Sequence, residues 1–361
     1  MLYFLFPLRE FSIFFNLFRY ITFRSAGASI TAFLLSLWLG PRVIEWLKKI
    51  NITANQKREH AEPIHAFFAH KEKVPTMGGI LIVASLVAAM LLWGNLTNRF
   101  VWILILIVAG FGGVGFLDDW IKLRSKSSKG LSSLTKLLGQ LVIGFAIGVY
   151  LYMDPQFDKW LYLPFLKKGA LYMGVAFIPF VVLVLVGSSN ALNLTDGLDG
   201  LAIGCTLFTA GSLGIIAYLA GRADFATYLS IPYVPEAGEA AVFCAALFGA
   251  SAGFLWFNCY PAEVMMGDTG SLSLGGAIGT VAVLLKKEFV LIIVGGIFVW
   301  EALSVMLQVG SFKMFRRRIF RMSPFHHHLQ LKGWPESKVT IRLWIIAMIL
   351  AVAGLSTLKL H

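Results

Sequence analysis

The sequence predicts an all-α protein that crosses a membrane about ten times. Of its 361 residues, 58% are hydrophobic and only 14% are charged, whereas a soluble domain carries about 25% charged residues. Apolar runs recur along the chain, and about 20 residues at a rise of 1.5 Å each cross the hydrocarbon core. The alternating pattern of membrane β-strands is not seen. We therefore expect one integral membrane domain over residues 1–361.

Ten apolar runs are predicted to be transmembrane helices. They lie at residues 25–47, 77–94, 99–118, 134–153, 171–189, 199–220, 238–258, 267–285, 288–312 and 340–358. Residues 1–22 are rich in aromatic side chains but are interrupted by Arg9, Glu10 and Arg19. This pattern favours an interfacial segment over an eleventh span.

Basic residues predict the orientation of the spans. Lysines and arginines cluster in the segments after the first, third and ninth runs, and such an excess marks cytoplasmic loops. We therefore expect the termini to lie outside the cytoplasm, although Arg24, Lys286 and Lys287 run against the rule. The net charge of +12 then reflects the topology and contact with anionic lipid or phosphate, rather than binding of nucleic acid.

The polar motifs all lie in or beside the five loops predicted to be cytoplasmic, and the outer loops hold nothing comparable. One polar site at the cytoplasmic face is therefore predicted.

Asp118 and Asp119 directly follow the third apolar run, in the motif GFLDDW. A solvated helix end explains a lone acidic pair about as well as a functional site does. Here, however, a charge at full membrane depth costs at least ~2.5–3.5 kcal/mol, so the pair needs a wet cavity, a cation or a basic partner. Because adjacent helical residues point about 100° apart, the two side chains are not expected to share one face equally.

The motif NALNLTDGLDG places Asn190, Asn193, Asp196 and Asp199 three residues apart. The spacing is not that of a calcium loop, and a turn needs only one or two such residues. On a helical backbone the spacing would align these side chains, so a binding role is predicted. Asp196 is expected to contact a metal or a nucleotide, whereas Asp199 fits either binding or a helix cap.

The motif FNCYPAEVMMGDTGS places Asp268 beside glycines at the start of the eighth predicted span. Asp is a good N-cap residue, and a helix N-terminus also favours phosphate. The two roles are compatible, and Asp268 is predicted to bind a metal. Asn258, in the same motif, fits substrate contact or simple interfacial polarity.

Two further motifs provide groups that suit phosphate or sugar. The internal run HHH comprises His326, His327 and His328. Consecutive residues do not readily converge on one zinc ion, so hydrogen bonds to phosphate or sugar are expected instead. Lys71 and Thr76 precede two glycines at the mouth of the second span, in a segment that is not a Walker A loop but still suits phosphate.

Carboxylates beside phosphate-binding cations imply Mg²⁺, a hard ion that bridges acidic side chains and substrate phosphates. The chemistry this suggests is phosphoryl transfer, in which protein and metal mainly position groups and neutralise charge. Because the site is embedded in a membrane, one substrate is expected to be a lipid.

These motifs resemble those of the polyprenyl-phosphate N-acetylhexosamine-1-phosphate transferase superfamily. The resemblance spans most of the chain, through PTMGG, GFLDD, SNALNLTDGLDGLA, FNCYPAEVMMGDTGS and PFHHHLQLKGW. The histidine run and PTMGG favour the phospho-N-acetylmuramoyl-pentapeptide branch over the N-acetylglucosamine branch. Val74 is a departure, since the family usually has Thr before this proline.

The resemblance implies a Mg²⁺-dependent enzyme of the bacterial inner membrane that acts in peptidoglycan synthesis. Undecaprenyl phosphate would attack the sugar-linked phosphate of UDP-N-acetylmuramoyl-pentapeptide, so that UMP leaves and lipid I forms. Motif matching carries over Asp118, Asp119 and Asp268 as catalytic acids. The same matching assigns nucleotide, phosphate or metal binding to Lys71, Thr76, Asn190, Asn193, Asp196, Asp199 and His327.

Within this resemblance, Asp268 is expected to be the principal metal ligand, and Asp118 or Asp119 to orient or deprotonate the lipid phosphate. A phosphate monoester has a second pKa near ~6 and needs no strong base at pH 7. One-step attack is therefore favoured over a covalent intermediate on a carboxylate. Oligomeric state stays open, with a homodimer as one option.

Three alternatives stay open. One is a transferase that uses UDP-N-acetylglucosamine. Another is an ion-coupled transporter, since intramembrane acids and glycine-rich helices also suit transport, although the polar groups gather at one face and no repeat is visible. A structural scaffold would leave the clustered acids unexplained.

Overall fold

A computed structural model describes residues 1–50, 74–125, 130–163 and 170–359, and most of these residues are helical. The α-helices are α1 (Ile21–Lys49), α2 (Gly79–Trp93), α3 (Arg99–Arg124), α4 (Ser133–Met153), α5 (Phe177–Thr195), α6 (Leu201–Ala220), α7 (Ala223–Leu229), α8 (Ala237–Asn258), α9 (Gly267–Leu284), α10 (Glu288–Val294), α11 (Gly296–Phe315), α12 (Phe325–Gln330) and α13 (Glu336–Ser356). Short 3₁₀ helices cover Leu2–Glu10, Ile13–Arg19, Gly174–Ala176 and Thr357–Lys359. Two short strands, β1 (Trp160–Tyr162) and β2 (Ala170–Tyr172), pair antiparallel.

Eight helices of the described ranges are long and apolar enough to cross a membrane. They are α1, α3, α4, α5 with its preceding 3₁₀ turn, α6, α8, α11, and α13 with its following turn. Of the remaining predicted spans, α2 has only 15 residues and α9 has 18, with a sequence rich in glycine and serine. Each of the ten predicted runs contains a helix, and the prediction of an all-α polytopic membrane protein is confirmed.

Three predicted spans differ from the helices in the structure. α3 continues to Arg124, so Asp118 and Asp119 lie inside a helix. α5 begins at Phe177 and continues to Thr195, beyond the predicted end of the span at residue 189, so the first half of the NALNLTDGLDG motif lies on a helix, as its three-residue spacing suggested. The ninth predicted run is divided at Gly295 into α10 and α11.

α9 is the most deeply buried helix of the site, because every residue from Thr269 to Leu284 is buried. It packs against α3 and α5, and small residues let the backbones approach closely. A Cβ on Gly115 of α3 would lie only 2.2 Å from the backbone oxygen of Asp268. This close approach brings the acidic end of α3 against the start of α9.

The N-terminal segment contacts α2. The terminal ammonium of Met1 donates to the backbone oxygens of Leu91 and Leu92 at 2.8 and 2.9 Å. Large apolar side chains of this segment, including Phe11 and Ile13, remain exposed. The interfacial location of residues 1–22 stays a prediction.

The end of the bundle opposite Asp118 is more polar than the sequence led us to expect. Arg24 and Glu239 form a buried ion pair, with Nη2 2.7 Å from Oε1, and Glu239 Oε2 also accepts from the backbone N–H of Asn95 at 2.9 Å. Beside them, Arg99 pairs with Glu236 at 2.7 Å and with Asp154. No sequence motif marks this cluster, since acids that lie far apart in sequence meet these arginines only in the fold.

Candidate active site

Three carboxylates converge where the acidic end of α3 meets the start of α9. Each of Asp118, Asp119 and Asp268 offers one oxygen, and these three atoms lie within 4.8 Å of one another. Asp118 and Asp119 are buried, whereas the Asp268 side chain is 16% exposed. The fold thus brings together the three acids that the sequence singled out, and leaves Asp268 the most open.

Asp119 anchors the start of α9. Its Oδ2 accepts from the backbone N–H and the hydroxyl of Thr269, at 2.9 and 2.8 Å, and its Oδ1 accepts from the backbone N–H of Asp268 at 3.3 Å. A carboxylate satisfies the unpaired N–H groups of a helix N-terminus and interacts favourably with the helix dipole. Gly267, with φ of +73°, makes the turn before the helix. Asp119 therefore holds the backbone at the start of α9, and with it Asp268, in position.

Asp268 is oriented from three different helices. Its Oδ2 accepts from Lys122 Nζ of α3 at 2.9 Å and from Lys136 Nζ of α4 at 2.8 Å. Its Oδ1 accepts from Asn193 Nδ2 of α5 at 2.6 Å, and the same amide donates to Ser271 Oγ at 2.7 Å. Charge-assisted hydrogen bonds of this kind hold a carboxylate in one position.

Asp118 faces the start of α4 and Lys122. Its Oδ1 accepts from the backbone N–H of Leu131 at 2.8 Å, and its Oδ2 lies 2.5 Å from Lys122 Nζ. The two adjacent acids of α3 therefore contact different partners, as their angular separation on the helix led us to expect.

Sequence analysis did not assign a role to either lysine of this cluster. Lys122 carried a signal, because it lies four residues after Asp118, and residues at this spacing are neighbours on a helix. Lys136 carried none, since 132 residues separate it from Asp268.

The polar side chains of the NALNLTDGLDG motif do not all contact the acid cluster. Asn193 contacts Asp268, as described above, but Asn190 donates to Gln140 Oε1 at 2.7 Å and to Val186 O at 2.8 Å. Asp196 ends α5 and is not a member of the carboxylate cluster found among the described residues. A role of Asp196 in metal or nucleotide binding stays a prediction.

Asp199 and Asn258 connect loops that surround the acid cluster. Asp199 is buried, and its Oδ2 accepts from the backbone N–H of Ala262 at 3.1 Å. Asn258 Oδ1 accepts from Gly200 N at 3.1 Å, and its Nδ2 donates to Val264 O at 2.8 Å. Both side chains thus tie the turn after α5 to the loop that leads into α9.

The segment before α2 lies against that same loop. Met265 donates from its backbone N–H to Pro75 O at 2.8 Å, and Gly78 donates to Met265 O at 2.9 Å. Thr76 Oγ1 would lie 3.0 Å from a Cβ on Gly267, which places this hydroxyl one residue from Asp268. Lys71 lies outside the described residues.

The three histidines have different partners. His326 is fully buried; its Nδ1 lies 3.2 Å from Glu301 Oε2, and its Nε2 would lie 2.2 Å from a Cβ on Gly197. His327 Nδ1 lies 2.9 Å from Gln330 Oε1.

His328 Nδ1 accepts from the backbone N–H of Arg321 at 3.0 Å, and burial together with Lys332 and Arg321 lowers the pKa of this imidazole. The run therefore packs against the turn after α5 through His326. Glu301, which the sequence analysis missed, is the buried partner of His326.

Comparison with known proteins first defines the class of protein. The glycosyl transferase family 4 model matches residues 101–286, a range that includes all three acids of the cluster.

Full-length relatives define the family more narrowly. The protein named phospho-N-acetylmuramoyl-pentapeptide-transferase from Geobacter sp. (strain M21) is 51% identical to this chain over 99% of both chains. The protein of that name from Oleidesulfovibrio alaskensis is 51% identical to it over 100% of both chains. The relative of that name from Thermodesulfovibrio yellowstonii is 50% identical over 96% of both chains. The chain belongs to the phospho-N-acetylmuramoyl-pentapeptide-transferase family and is an enzyme, which confirms the resemblance drawn from the motifs.

Proposed function

We propose that the enzyme transfers phospho-N-acetylmuramoyl-pentapeptide from its UDP conjugate to undecaprenyl phosphate, which gives lipid I and UMP. The observation that carries this proposal is the convergence of Asp118, Asp119 and Asp268 within 4.8 Å, in a chain whose full-length relatives bear the transferase name. A lipid acceptor fits a site built at the ends of membrane-spanning helices.

The donor atoms of the cluster fit a divalent metal. Three carboxylates converge, and the ammonium of Lys122 already lies among them, so the position attracts a cation. We propose Mg²⁺, which takes oxygen ligands and binds together with substrate phosphates. Asp268 and Asp118 would hold it, because Asp119 is engaged by Thr269. When bound, the ion neutralises charge on the pyrophosphate of the nucleotide sugar.

The surrounding residues position these acids. Lys136 and Asn193 hold the two oxygens of Asp268 from separate helices, and Asp119 fixes the turn beneath it. Asp118 is then available to orient the phosphate of the lipid. That phosphate carries its second negative charge at neutral pH, since its pKa is near ~6. Attack on the sugar-linked phosphate therefore proceeds in one step, without a strong base.

We assign nucleotide binding to the segments that lie next to the three acids. Thr76 lies against Gly267, and Asp196 lies at the end of α5, one residue before the glycine that contacts His326. A hydroxyl, a carboxylate and imidazole groups on adjoining segments can bind ribose, base and phosphate through hydrogen bonds. Lys71 would add a cation for phosphate.

The orientation belongs to the same proposal. We place the acid cluster at the cytoplasmic face of the bacterial inner membrane and the termini on the opposite side. The support is the clustering of basic residues in the segments at that end, including residues 316–318, by the positive-inside rule.

Release of UMP tests the proposed reaction directly. Purified protein in detergent is expected to release UMP from UDP-N-acetylmuramoyl-pentapeptide only when both undecaprenyl phosphate and Mg²⁺ are present. UDP-N-acetylglucosamine offered as the donor is expected to give little product. Efficient use of that donor would favour the other branch of the superfamily, and solute uptake by proteoliposomes without UMP release would favour a transporter.

A further inference from the structure

One ammonium group occupies the space between the three acids. Lys122 Nζ lies 2.5 Å from Asp118 Oδ2, 2.9 Å from Asp268 Oδ2 and 3.8 Å from Asp119 Oδ1. Of the three acids, Lys136, the second cation of the cluster, pairs with Asp268, at 2.8 Å. Lys122 is thus the lysine that interacts with every carboxylate of the cluster.

Lys122 is also the more exposed of the two lysines. Its side chain is 36% exposed, against 17% for Lys136, and a lysine reaches its partners through a flexible four-carbon stem. Lys122 Nζ can therefore leave the carboxylates for solvent or for a nearby phosphate without a change in the helix that carries it.

A divalent metal and this ammonium need the same oxygens. Mg²⁺ requires carboxylate oxygens at about 2.0–2.1 Å in near-ideal octahedral geometry. An ammonium 2.5 and 2.9 Å from Asp118 and Asp268 fills that space and neutralises the charge that would attract the ion. Metal and ammonium therefore exclude each other at this position.

We propose that Lys122 is a positioning residue that competes with the metal for the acid cluster and moves to a substrate phosphate when the metal binds. Without substrate, the ammonium offsets part of the negative charge of the three neighbouring carboxylates. With a phosphate-bearing substrate present, the same ammonium gains a second anion to bind. Substrate and metal therefore strengthen each other's binding, since each favours the displaced lysine. This inference rests on the proposed function, because it takes the metal and the phosphate from it.

Metal binding to the substrate-free protein tests the competition. Affinity for Mn²⁺, a stand-in for Mg²⁺, is measured by electron paramagnetic resonance on purified protein in detergent. Lys122→Gln is expected to bind Mn²⁺ about tenfold more tightly than the wild type, within the usual range of coupling between sites. Lys136→Gln is the matched control, which removes the same charge but frees no space among all three acids, and its gain is expected to be smaller.

The kinetics separate this role from a merely structural one. Lys122→Gln should need less Mg²⁺ for half-maximal activity but show a raised KM for the nucleotide sugar, whereas a general disruption would worsen both. Equal or weaker Mn²⁺ binding by Lys122→Gln, or an equal gain in Lys136→Gln, overturns the proposal. If the wild type still releases UMP in a Mg²⁺-dependent manner, the proposed function survives that failure.

A measurement on the wild type avoids any folding defect of the variants. Acetylation of lysine amines is followed by mass spectrometry with and without Mg²⁺, with exposed Lys48 as the internal reference. Modification of Lys122 is expected to become faster when Mg²⁺ is added. An unchanged or slower rate, relative to Lys48, contradicts displacement of the ammonium.

Discussion

The two ends of the helix bundle hold polar clusters that differ in how deeply their charges are buried. At one end, buried Arg24 pairs with buried Glu239, and Arg99 is matched by Glu236 and Asp154. At the other end, three acids face two lysines, and Asp268 remains partly open to solvent. Both clusters set three acids against two cations. They differ in that the Arg24–Glu239 pair is buried on both sides, whereas the Lys122 side chain of the second cluster is 36% exposed and can leave.

The difference teaches how to distinguish structural from functional charges inside a membrane protein. A buried charge is tolerated when it is paired and hydrogen-bonded. The Arg24 pair meets that condition and links α1 to α8. The acid cluster meets it in part through Lys122, whose side chain is the more exposed of its two lysines, so a metal or a phosphate can change its partners. We therefore expect loss of stability from changes at the first end and loss of activity from changes at the second.

The largest expected effect is on activity, from Asp268→Asn. The substitution keeps the shape but removes the charge that Lys122 and Lys136 orient, and kcat is expected to fall by at least about 100-fold, as for loss of one preorganised electrostatic group. The UMP-release assay measures it. Asp224→Asn, at an exposed site, is the matched control and should retain full activity. Activity of Asp268→Asn within tenfold of the wild type would show that Asp268 is not central.

Arg24→Met should affect stability instead. It leaves the Glu239 carboxylate buried without its cation, which costs about 3–5 kcal/mol. Thermal unfolding in detergent is expected to begin at a clearly lower temperature, while the folded fraction keeps its turnover rate. Arg222→Met, which breaks an exposed pair, should leave the midpoint unchanged. If Arg24→Met lowered turnover without lowering the midpoint, the contrast between the two ends would fail.

Within the acid cluster, Asp119→Asn should reduce stability more than Asp118→Asn. Asp119 accepts from three donors at the start of α9, and weakening such buried bonds costs about 1–3 kcal/mol. Asp118 accepts from one backbone N–H and from Lys122, so its variant should lose activity at a nearly unchanged midpoint. Chemical unfolding and turnover, measured on both variants, decide the matter; the reverse ranking would exchange the two roles.

The smallest expected effect concerns pH and Lys287, between α9 and α10. Burial lowers the pKa of this lysine from 10.5 to about 8, so between these values the unfolded chain binds more protons than the folded one. The free energy of unfolding should therefore rise as pH increases from about 8 to 10.5. Burial also lowers the pKa of the neighbouring Lys286, so Lys287→Met should reduce this rise without abolishing it and should unfold at a higher temperature than the wild type at pH 7. A rise of undiminished size in the variant would assign it to a group other than Lys287.

The sequence predicted the helices well because apolar length and glycine content are local properties. The predicted run 238–258 differs from Ala237–Asn258 by one residue at its start. The break at Gly295 was missed, since Gly295 and Gly296 fit close packing as well as a division between helices. The predicted fifth span ended at residue 189 because polar residues follow it, whereas the helix continues to Thr195, and Asn190 satisfies its amide within the helix by bonding Val186.

The acids that meet at the site were predicted best, because the topology of the spans alone decides which end of the bundle they share. Placing the loops after odd-numbered spans on one face brought Asp118, Asp119 and Asp268 to the same end, and in the structure one oxygen of each lies within 4.8 Å of the others. Which acid anchors α9 could not be predicted, because it depends on the rotation of α3 against Thr269. The tethers made by Asn258 and the pair of Glu301 with His326 likewise depend on contacts between distant segments.

The location of a bound metal tests the central claim most directly. Crystals of the protein grown with Mn²⁺ and UMP would show the ion by its anomalous scattering. The account predicts one strong peak between the carboxylates of Asp118 and Asp268, with Lys122 Nζ moved away from both. A peak elsewhere, such as at Asp196 alone, or an empty cluster in which Lys122 keeps its place, would contradict it.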